Sequence, residues 1–225
     1  RTQTAPGGSD AAPTGTARAQ VISGSSVTTF YGLAYNNPGV GASLTLQTDV
    51  IVADQLDLRS GAVMLNKKTL TLQNGVANTI AFTAGAIIKK GPVTSLAGQG
   101  LGYLVSEDGA ALCAGNACNT SYVVWNIGSN TGDHVFPFGN SSGAAIPFTY
   151  NLLSGTVGDL KLATYASAPN NTPMPVGVNE VHDTTSAMAD NSAYTADRFW
   201  HIEASVGTGT ADMTFTYAAS EAPAA

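Results

Sequence analysis

Few residues in this chain have types and spacing that suggest catalysis. Asp133 and His134 are adjacent, and so are His182 and Asp183. A carboxylate beside an imidazole could orient a general base, but adjacent side chains on a strand point to opposite faces. The glycine-rich stretch 98–102 is followed by no helical pattern that could hold a phosphate. We therefore predict no catalytic residue, no cofactor site and no enzymatic activity.

Asp49, Asp54 and Asp57 form the best local group of possible metal ligands. Carboxylate oxygens bind Ca²⁺, but calcium loops more typically alternate acids with a glycine turn. Solvated strand ends explain the same three aspartates without a metal. We predict no metal site.

The two cysteines, Cys113 and Cys118, are separated by four residues that could close a small loop. A zinc site would need more ligands, and His134, His182 and His201 are scattered along the chain. We predict a structural disulfide, which indicates an oxidising compartment. Two free buried thiols are the alternative.

The composition limits which elements can position these residues. The chain has 225 residues, of which 11% are charged and 44% hydrophobic, with 9 Lys+Arg and a net charge of -6. So few cations, with no basic cluster, give nucleic-acid binding no electrostatic basis. No apolar run reaches the roughly 18 residues that a membrane-spanning helix needs. An acidic, lysine-poor chain with 25 glycines is typical of a secreted all-β protein.

From Leu44 onward, apolar residues alternate with polar ones in short runs that Asp, Asn or Gly interrupt every roughly 7–10 residues. No window sustains the spacing of an amphipathic helix. About a dozen short strands predict an all-β fold, an antiparallel β-sandwich or jelly-roll-like domain. The closely spaced runs in 44–90 favour a short β-helix-like segment as an alternative. The aromatic residues predicted in the core are Trp125, Phe136, Phe138, Phe199 and Trp200.

The chain divides into an arm and a domain. Residues 1–37 read as an N-terminal low-complexity arm that ends in a possible donor strand, and 38–225 as the β domain, with a possible sub-boundary near 95–102. The chain begins at Arg1 rather than Met, which we interpret as a processed or partial chain.

Several motifs occur in an order that supports a resemblance. They are LDLRSGAVMLNKKTLTLQNG (56–75), VVWNIGSNTGDHVFPFG (123–139) and TADRFWHIEAS (195–205). This arrangement resembles a family of secreted surface proteins from type IX-secreting, Bacteroidota-like bacteria. The resemblance implies an extracellular, β-rich module at the cell surface, and it supplies no catalytic residue.

Glycosylation is the modification that the sequence invites. Asn119, Asn140 and Asn170 begin N-x-S/T sequons. Thr184 follows Asp183 in a sequence that looks like the O-glycosylation acceptor of Bacteroidota. Glycans are therefore predicted as possible attachments or ligands.

Two functions remain open after these exclusions. The first is a non-enzymatic structural subunit of an extracellular filament or surface assembly, in which an N-terminal arm adds a strand to another copy of the chain. The residues predicted to be inserted are Val21, Ile22, Val27, Phe30, Tyr31 and Leu33. The same residues could instead form the first strand of their own domain. The second function is a carbohydrate- or surface-binding adhesin module of a larger secreted protein.

Overall fold

The computed structural model describes these residues: 18–37, 41–76, 80–81, 102–107, 121–172, 174–175, 178–182 and 190–223. Within them the chain forms fourteen β-strands and two short 3-10 turns, with no α-helix. The prediction of an all-β fold is confirmed for this part of the chain.

The first half of the chain winds in successive rungs. Its strands are β1 (Gln20–Ile22), β2 (Thr28–Asn36), β3 (Ser43–Leu46), β4 (Val50–Ser60), β5 (Ala62–Met64), β6 (Thr69–Leu72), β7 (Ile80–Ala81) and β8 (Tyr103–Val105). Each rung lies on the one before, so that β1, β3, β5 and β8 pair in parallel, and β2, β4 and β6 do the same beside them. The short β7 pairs in parallel with the second part of β4.

Side chains at equivalent positions of successive rungs form columns. In one column Phe30 aligns with Val52, Val52 with Leu72, and Leu72 with Trp125. The last three of these side chains are fully buried. Alternate residues of a strand point to opposite faces. The period-two pattern therefore turns this column towards the interior and the neighbouring columns outward. The alternation seen in the sequence is therefore the inward face of stacked rungs.

The second half extends one of these sheets and forms a further antiparallel sheet. Its strands are β9 (Tyr122–Gly128), β10 (Gly132–Phe136), β11 (Phe148–Ser154), β12 (Gly158–Ala166), β13 (Arg198–Ala204) and β14 (Thr210–Thr214). β9 pairs in parallel with β6, and β12 and β13 extend that sheet in antiparallel fashion. β10, β11 and β14 form a second antiparallel sheet.

The strands form two continuous faces. The first face is β1-β3-β5-β8 followed by β10-β11-β14, joined where Leu104 of β8 pairs in parallel with Phe138, just after β10. The hairpin register of β10 with β11 persists to the bridge between Gly139 and Ala145, so Phe138 continues the direction of β10. The second face is β2-β4-β6-β9-β12-β13.

One hydrophobic core lies between the two faces. Trp125 of the second face contacts Phe136 of the first, with ring centroids 5.2 Å apart. The core extends from Leu44 and Leu46 in the rungs to Leu160 and Leu162 near the C-terminal end. Burial of these side chains, at about 25 cal/mol per Å² of apolar surface, is the main force holding the faces together.

The expectation of antiparallel pairing holds only for the second half, because the rungs of the first half pair in parallel. Alternating apolar residues do not distinguish the two cases, since both kinds of strand have the same two-residue side-chain period. The strand runs from Val21 to Leu33, expected as an arm, pair with β3 and β4 of the same chain, so the pairing has no break at residue 37.

Candidate functional site

Strands β1 and β2 form one end of the molecule, which we call the N-terminal edge. Each is the terminal strand of its face, and no strand among the described residues pairs with its outer side. A free strand side presents backbone N–H and C=O groups that can pair with another chain. All six residues predicted as the assembly arm lie on or between these two strands.

The structure divides the predicted arm residues into two groups. Ile22, Phe30 and Leu33 are partly buried and pack against the core. Val21, Val27 and Tyr31 are exposed, and Tyr31 is the most exposed at 72%. The first group forms the open end of the core, whereas the second group faces outward.

Strands β13 and β14 form the opposite end, the C-terminal edge. They too are terminal in their faces, with no further strand paired to them in the described part of the chain. Met213 of β14 stands opposite Tyr150, whose side chain is buried, so Met213 lies on the core side of its sheet. It is nevertheless 46% exposed, as is Phe215 at 45%, because nothing described covers the core at this end.

Incomplete burial of the core is concentrated at these two edges. Of the seven partly buried apolar residues that pack against the core in the described ranges, six lie on β1, β2, β13 or β14. They are Ile22, Phe30, Leu33, Trp200, Ile202 and Ala211. Within the described ranges, the core is therefore closed along its length and open at both ends.

The two edges differ in charge. Among residues 18–37 the only charged side chain is that of Arg18, which is exposed. The exposed charged residues of β13 and β14 are acidic, Glu203 and Asp212. Lys161 pairs with Glu203 at 3.1 Å, and its hydrogen bond is the main reason that the pKa of Glu203 is lowered. Because Glu203 is already paired with Lys161, the opposite charges at the two edges are those of Arg18 and Asp212.

A buried charge cluster lies near the C-terminal edge. The side chain of Arg198 is fully buried and donates to both Glu221 oxygens, at 2.8 and 2.6 Å, and to Glu107 at 2.5 Å. It also donates to the Thr164 hydroxyl at 3.0 Å. The cluster joins the end of β8, the strands β12 and β13, and the 3-10 turn Ala219–Glu221.

The electrostatics of this cluster favour the charged states of Arg198 and Glu221. Burial lowers the pKa of Arg198, but its hydrogen bonds and charge contacts with Glu221 and Glu107 more than offset this and raise it overall. Burial is the largest influence on the pKa of Glu221 and raises it, but the hydrogen bonds from Arg198 and the Ala218 backbone, together with the charge of Arg198, outweigh it, so that the carboxyl pKa lies below its ordinary value of 4.5. Such a paired cluster fixes the geometry of the elements that it joins.

The adjacent residues Asp133 and His134 do not bring their side chains together. His134 is fully buried, and its ring nitrogens lie 2.9 and 3.0 Å from the carbonyl oxygens of Gly132 and Gly75. Asp133 is exposed on the other side of β10, as adjacent strand residues must be. His182 contacts Glu180 at 3.5 Å, and Asp183 lies outside the described residues. His134 therefore joins β10 to the turn after β6.

The three aspartates considered as calcium ligands each have a separate partner. Asp49 accepts a hydrogen bond from the Thr69 backbone at 2.9 Å, and Asp54 accepts one from the Asn74 amide at 3.0 Å. Asp57 forms an ion pair with Arg59 at 3.0 Å. The first two link one rung to the next. Among the described residues no group of three His, Cys, Asp or Glu side chains could hold a metal.

The predicted modification sites have different surroundings. Asn170 is exposed in a loop, and its side-chain oxygen accepts two hydrogen bonds from Thr172. Asn140 is only 7% exposed, and its side-chain oxygen accepts three hydrogen bonds that hold the β10–β11 turn. This geometry favours Asn170 over Asn140 as an acceptor. Cys113, Cys118, Asn119 and Thr184 lie outside the described residues.

The aromatic residues predicted in the core occupy two environments. Trp125, Phe136 and Phe138 are buried between the faces. Phe199 and Trp200 are half-buried on β13, where Trp200 contacts Phe215 with ring centroids 5.2 Å apart. Sequence reasoning missed the cluster around Arg198, because its partner Glu107 lies 91 residues away along the chain.

No helix in the described ranges has the length and hydropathy needed to cross a membrane. Comparisons with known proteins find no matching family model, no similar curated protein and no similar solved structure.

Proposed function

We propose that this protein is a non-enzymatic structural subunit of an extracellular filament or surface assembly, which grows by β-strand addition of its N-terminal strands to a neighbouring copy. The observation that carries the proposal is the pair of open edges. Each end of the core leaves apolar side chains partly exposed beside strands whose outer sides are free among the described residues. Soluble monomers usually protect such edges with charge, proline or bulges.

We infer that the domain is a short β-helix that continues into a β-sandwich, with the N-terminal segment as its first rung. Strand addition has two versions: the segment could leave its own domain, or it could stay and offer its free side. The intrachain pairing of β1 with β3 and of β2 with β4 supports the second version. Polymerisation then needs no unfolding of the subunit.

An extracellular location is part of the proposal. The acidic, lysine-poor composition supports it, as does the resemblance of the WNIG, FPFG and RFW motifs to secreted Bacteroidota surface proteins. A disulfide between Cys113 and Cys118 and glycans at the exposed Asn170 would suit the same location.

The proposal is tested with a charge placed in the open core end. Ile22→Lys puts an ammonium on the inward side of β1, where a neighbour would bury it. Leu153→Lys is the matched control, because Leu153 is exposed on β11, which is paired on both sides and lies far from β1 in the strand order. Burying an unpaired charge costs well over 1.4 kcal/mol, so Ile22→Lys is expected to raise the critical concentration for polymerisation by at least about tenfold.

Sedimentation and electron microscopy of the purified protein give the readout, with circular dichroism confirming that each variant keeps its β structure. The control should polymerise as the unmodified chain does. Filaments of Ile22→Lys at the unmodified critical concentration would reject strand addition at this edge. A chain that stays monomeric at high concentration would reject the structural function itself.

A second function, a carbohydrate- or surface-binding adhesin module, is favoured by exposed aromatic side chains. Tyr194 is 74% exposed, and Phe215 and Tyr217 are also exposed near the C-terminal edge. Sugars stack on such rings. Binding of the monomer to a glycan array, lost in Tyr194→Ala, would support this function, and a blank array would dismiss it.

A further inference from the structure

We propose that the two edges are complementary, so that the C-terminal edge of one copy pairs with the N-terminal edge of the next on both faces at once. In this arrangement β13 pairs with β2 of the next copy, and β14 pairs with β1 of that copy, in parallel in both cases. The inference rests on the proposed function and specifies its contact.

Strand direction on the second face supports this pairing. β2, β4, β6 and β9 run in the same direction, because each pairs in parallel with the next. β12 runs against β9, and β13 runs against β12. Two reversals restore the original direction, so β13 runs the same way as β2. A copy moved along the sheet without being turned over would place its β2 parallel to β13.

The first face gives the same result independently. β1, β3, β5 and β8 are parallel, and the bridge between Leu104 and Phe138 gives β10 the same direction. β11 reverses and β14 reverses again, so β14 runs the same way as β1. One orientation of the added copy therefore gives parallel pairing on both faces, which a turned-over copy would not do.

The side chains at the edges fit this arrangement. Ile22, Phe30 and Leu33 occupy the inner side at the N-terminal edge, and Trp200 and Ile202 do so at the C-terminal edge. The core of one copy would therefore continue into the core of the next, as in the stacking of β-helix rungs.

Charge also distinguishes this contact from the alternatives. Arg18 lies beside β1, while Asp212 lies on β14 and Glu203 on β13. Joining unlike edges brings opposite charges together, whereas joining two C-terminal edges brings acids together. A contact between unlike edges does not close on itself, so it repeats into a filament.

The pairing predicts the axial repeat. The faces contain six and seven strands along the direction of growth. At about 4.8 Å between strands, one subunit advances the filament by roughly 30 Å.

Cysteine cross-linking between two differently labelled chains tests the contact. Thr29→Cys and Val21→Cys place a thiol on the solvent-facing sides of β2 and β1. Glu203→Cys and Asp212→Cys do the same on β13 and β14. One partner of each mixture carries heavy isotopes, so mass spectrometry separates mixed from like pairs. A short bismaleimide tolerates small differences in register. The unmodified chain, with its native cysteines, gives the background.

We expect Thr29→Cys mixed with Glu203→Cys, and Val21→Cys mixed with Asp212→Cys, to give mixed dimers at least about tenfold above each variant alone. The exchanged mixture, Thr29→Cys with Asp212→Cys, should stay at background. Like pairs as abundant as mixed pairs, or cross-linking of the exchanged mixture, would overturn the inference even where microscopy shows filaments. Absence of filaments in the same samples would overturn the proposed function as well.

Discussion

Replacing the buried arginine is the sharpest test of how the fold is held together. Arg198→Met removes four hydrogen bonds and leaves Glu107 and Glu221 facing each other with side chains only 9% exposed. Removing one partner of a buried ion pair costs about 3–5 kcal/mol, because the charge left behind is neither solvated nor paired. This cost is a large share of the free energy of unfolding of a typical domain, which is about 5–15 kcal/mol.

The loss is measured by guanidinium unfolding followed by tryptophan fluorescence. For a chain of this size each kcal/mol lowers the melting temperature by about 2–4 °C, so a fall of roughly 6–20 °C is expected. Lys161→Met is the matched control: it breaks the exposed pair with Glu203, which is worth about 0–1 kcal/mol.

Two further variants separate charge from packing. Arg198→Lys keeps the charge but loses the two-pronged contact with Glu221, so its loss should be intermediate. Combining Arg198→Met with Glu107→Gln and Glu221→Gln removes the unpaired charges and should regain part of the stability. If Arg198→Met costs no more than Lys161→Met, the cluster does not hold these elements together and the reasoning is wrong.

Three further changes have defined outcomes. Gly75→Ala would place a Cβ 2.1 Å from a backbone oxygen of β9, so denaturant unfolding should show a loss of about 1–3 kcal/mol in the free energy of unfolding. Gly207→Ala is the control: its Cβ would have no neighbour within 4 Å, so the free energy of unfolding should change little. Trp125→Phe removes the 2.8 Å hydrogen bond to the Asn74 carbonyl, and the loss of that bond should cost about 0.5–1.5 kcal/mol beyond the cost of the cavity. The pKa of Glu221 is lowered in the folded protein. Its contribution to the free energy of unfolding is therefore complete above pH 4.5 and is lost as the pH falls through the pKa of the folded state. Unfolding curves at a series of acidic pH values should show this loss, and the Glu221→Gln variant should show less of it.

The strands were predictable from the sequence because their pattern is local. Leu44, Leu46, Leu70 and Leu72 alternate with polar residues, and these buried leucines form the inward face of the rungs. The direction of pairing was not predictable, since parallel and antiparallel strands share this period. The direction of pairing depends on the path of the connections between strands. One such connection is the turn at Asn66 and Lys67, where both residues have positive φ, and its path is visible only in the structure.

The edges were predictable in part. Ile22, Phe30 and Leu33 were expected at a subunit contact, and they lie at an open core end on strands of their own domain. The C-terminal edge was missed, because Met213 and Phe215 look like ordinary core residues until the pairing of β14 shows that no described strand follows it. Local patterns predict which side of a strand is apolar, but not which strand comes last in a sheet.

Helical reconstruction of assembled filaments by electron cryomicroscopy tests the central claim most directly. Pairing of unlike edges predicts strands perpendicular to the filament axis, all subunits pointing the same way, and a rise of roughly 30 Å per subunit along the axis. Subunits related by two-fold axes, or strands running along the filament, would contradict it.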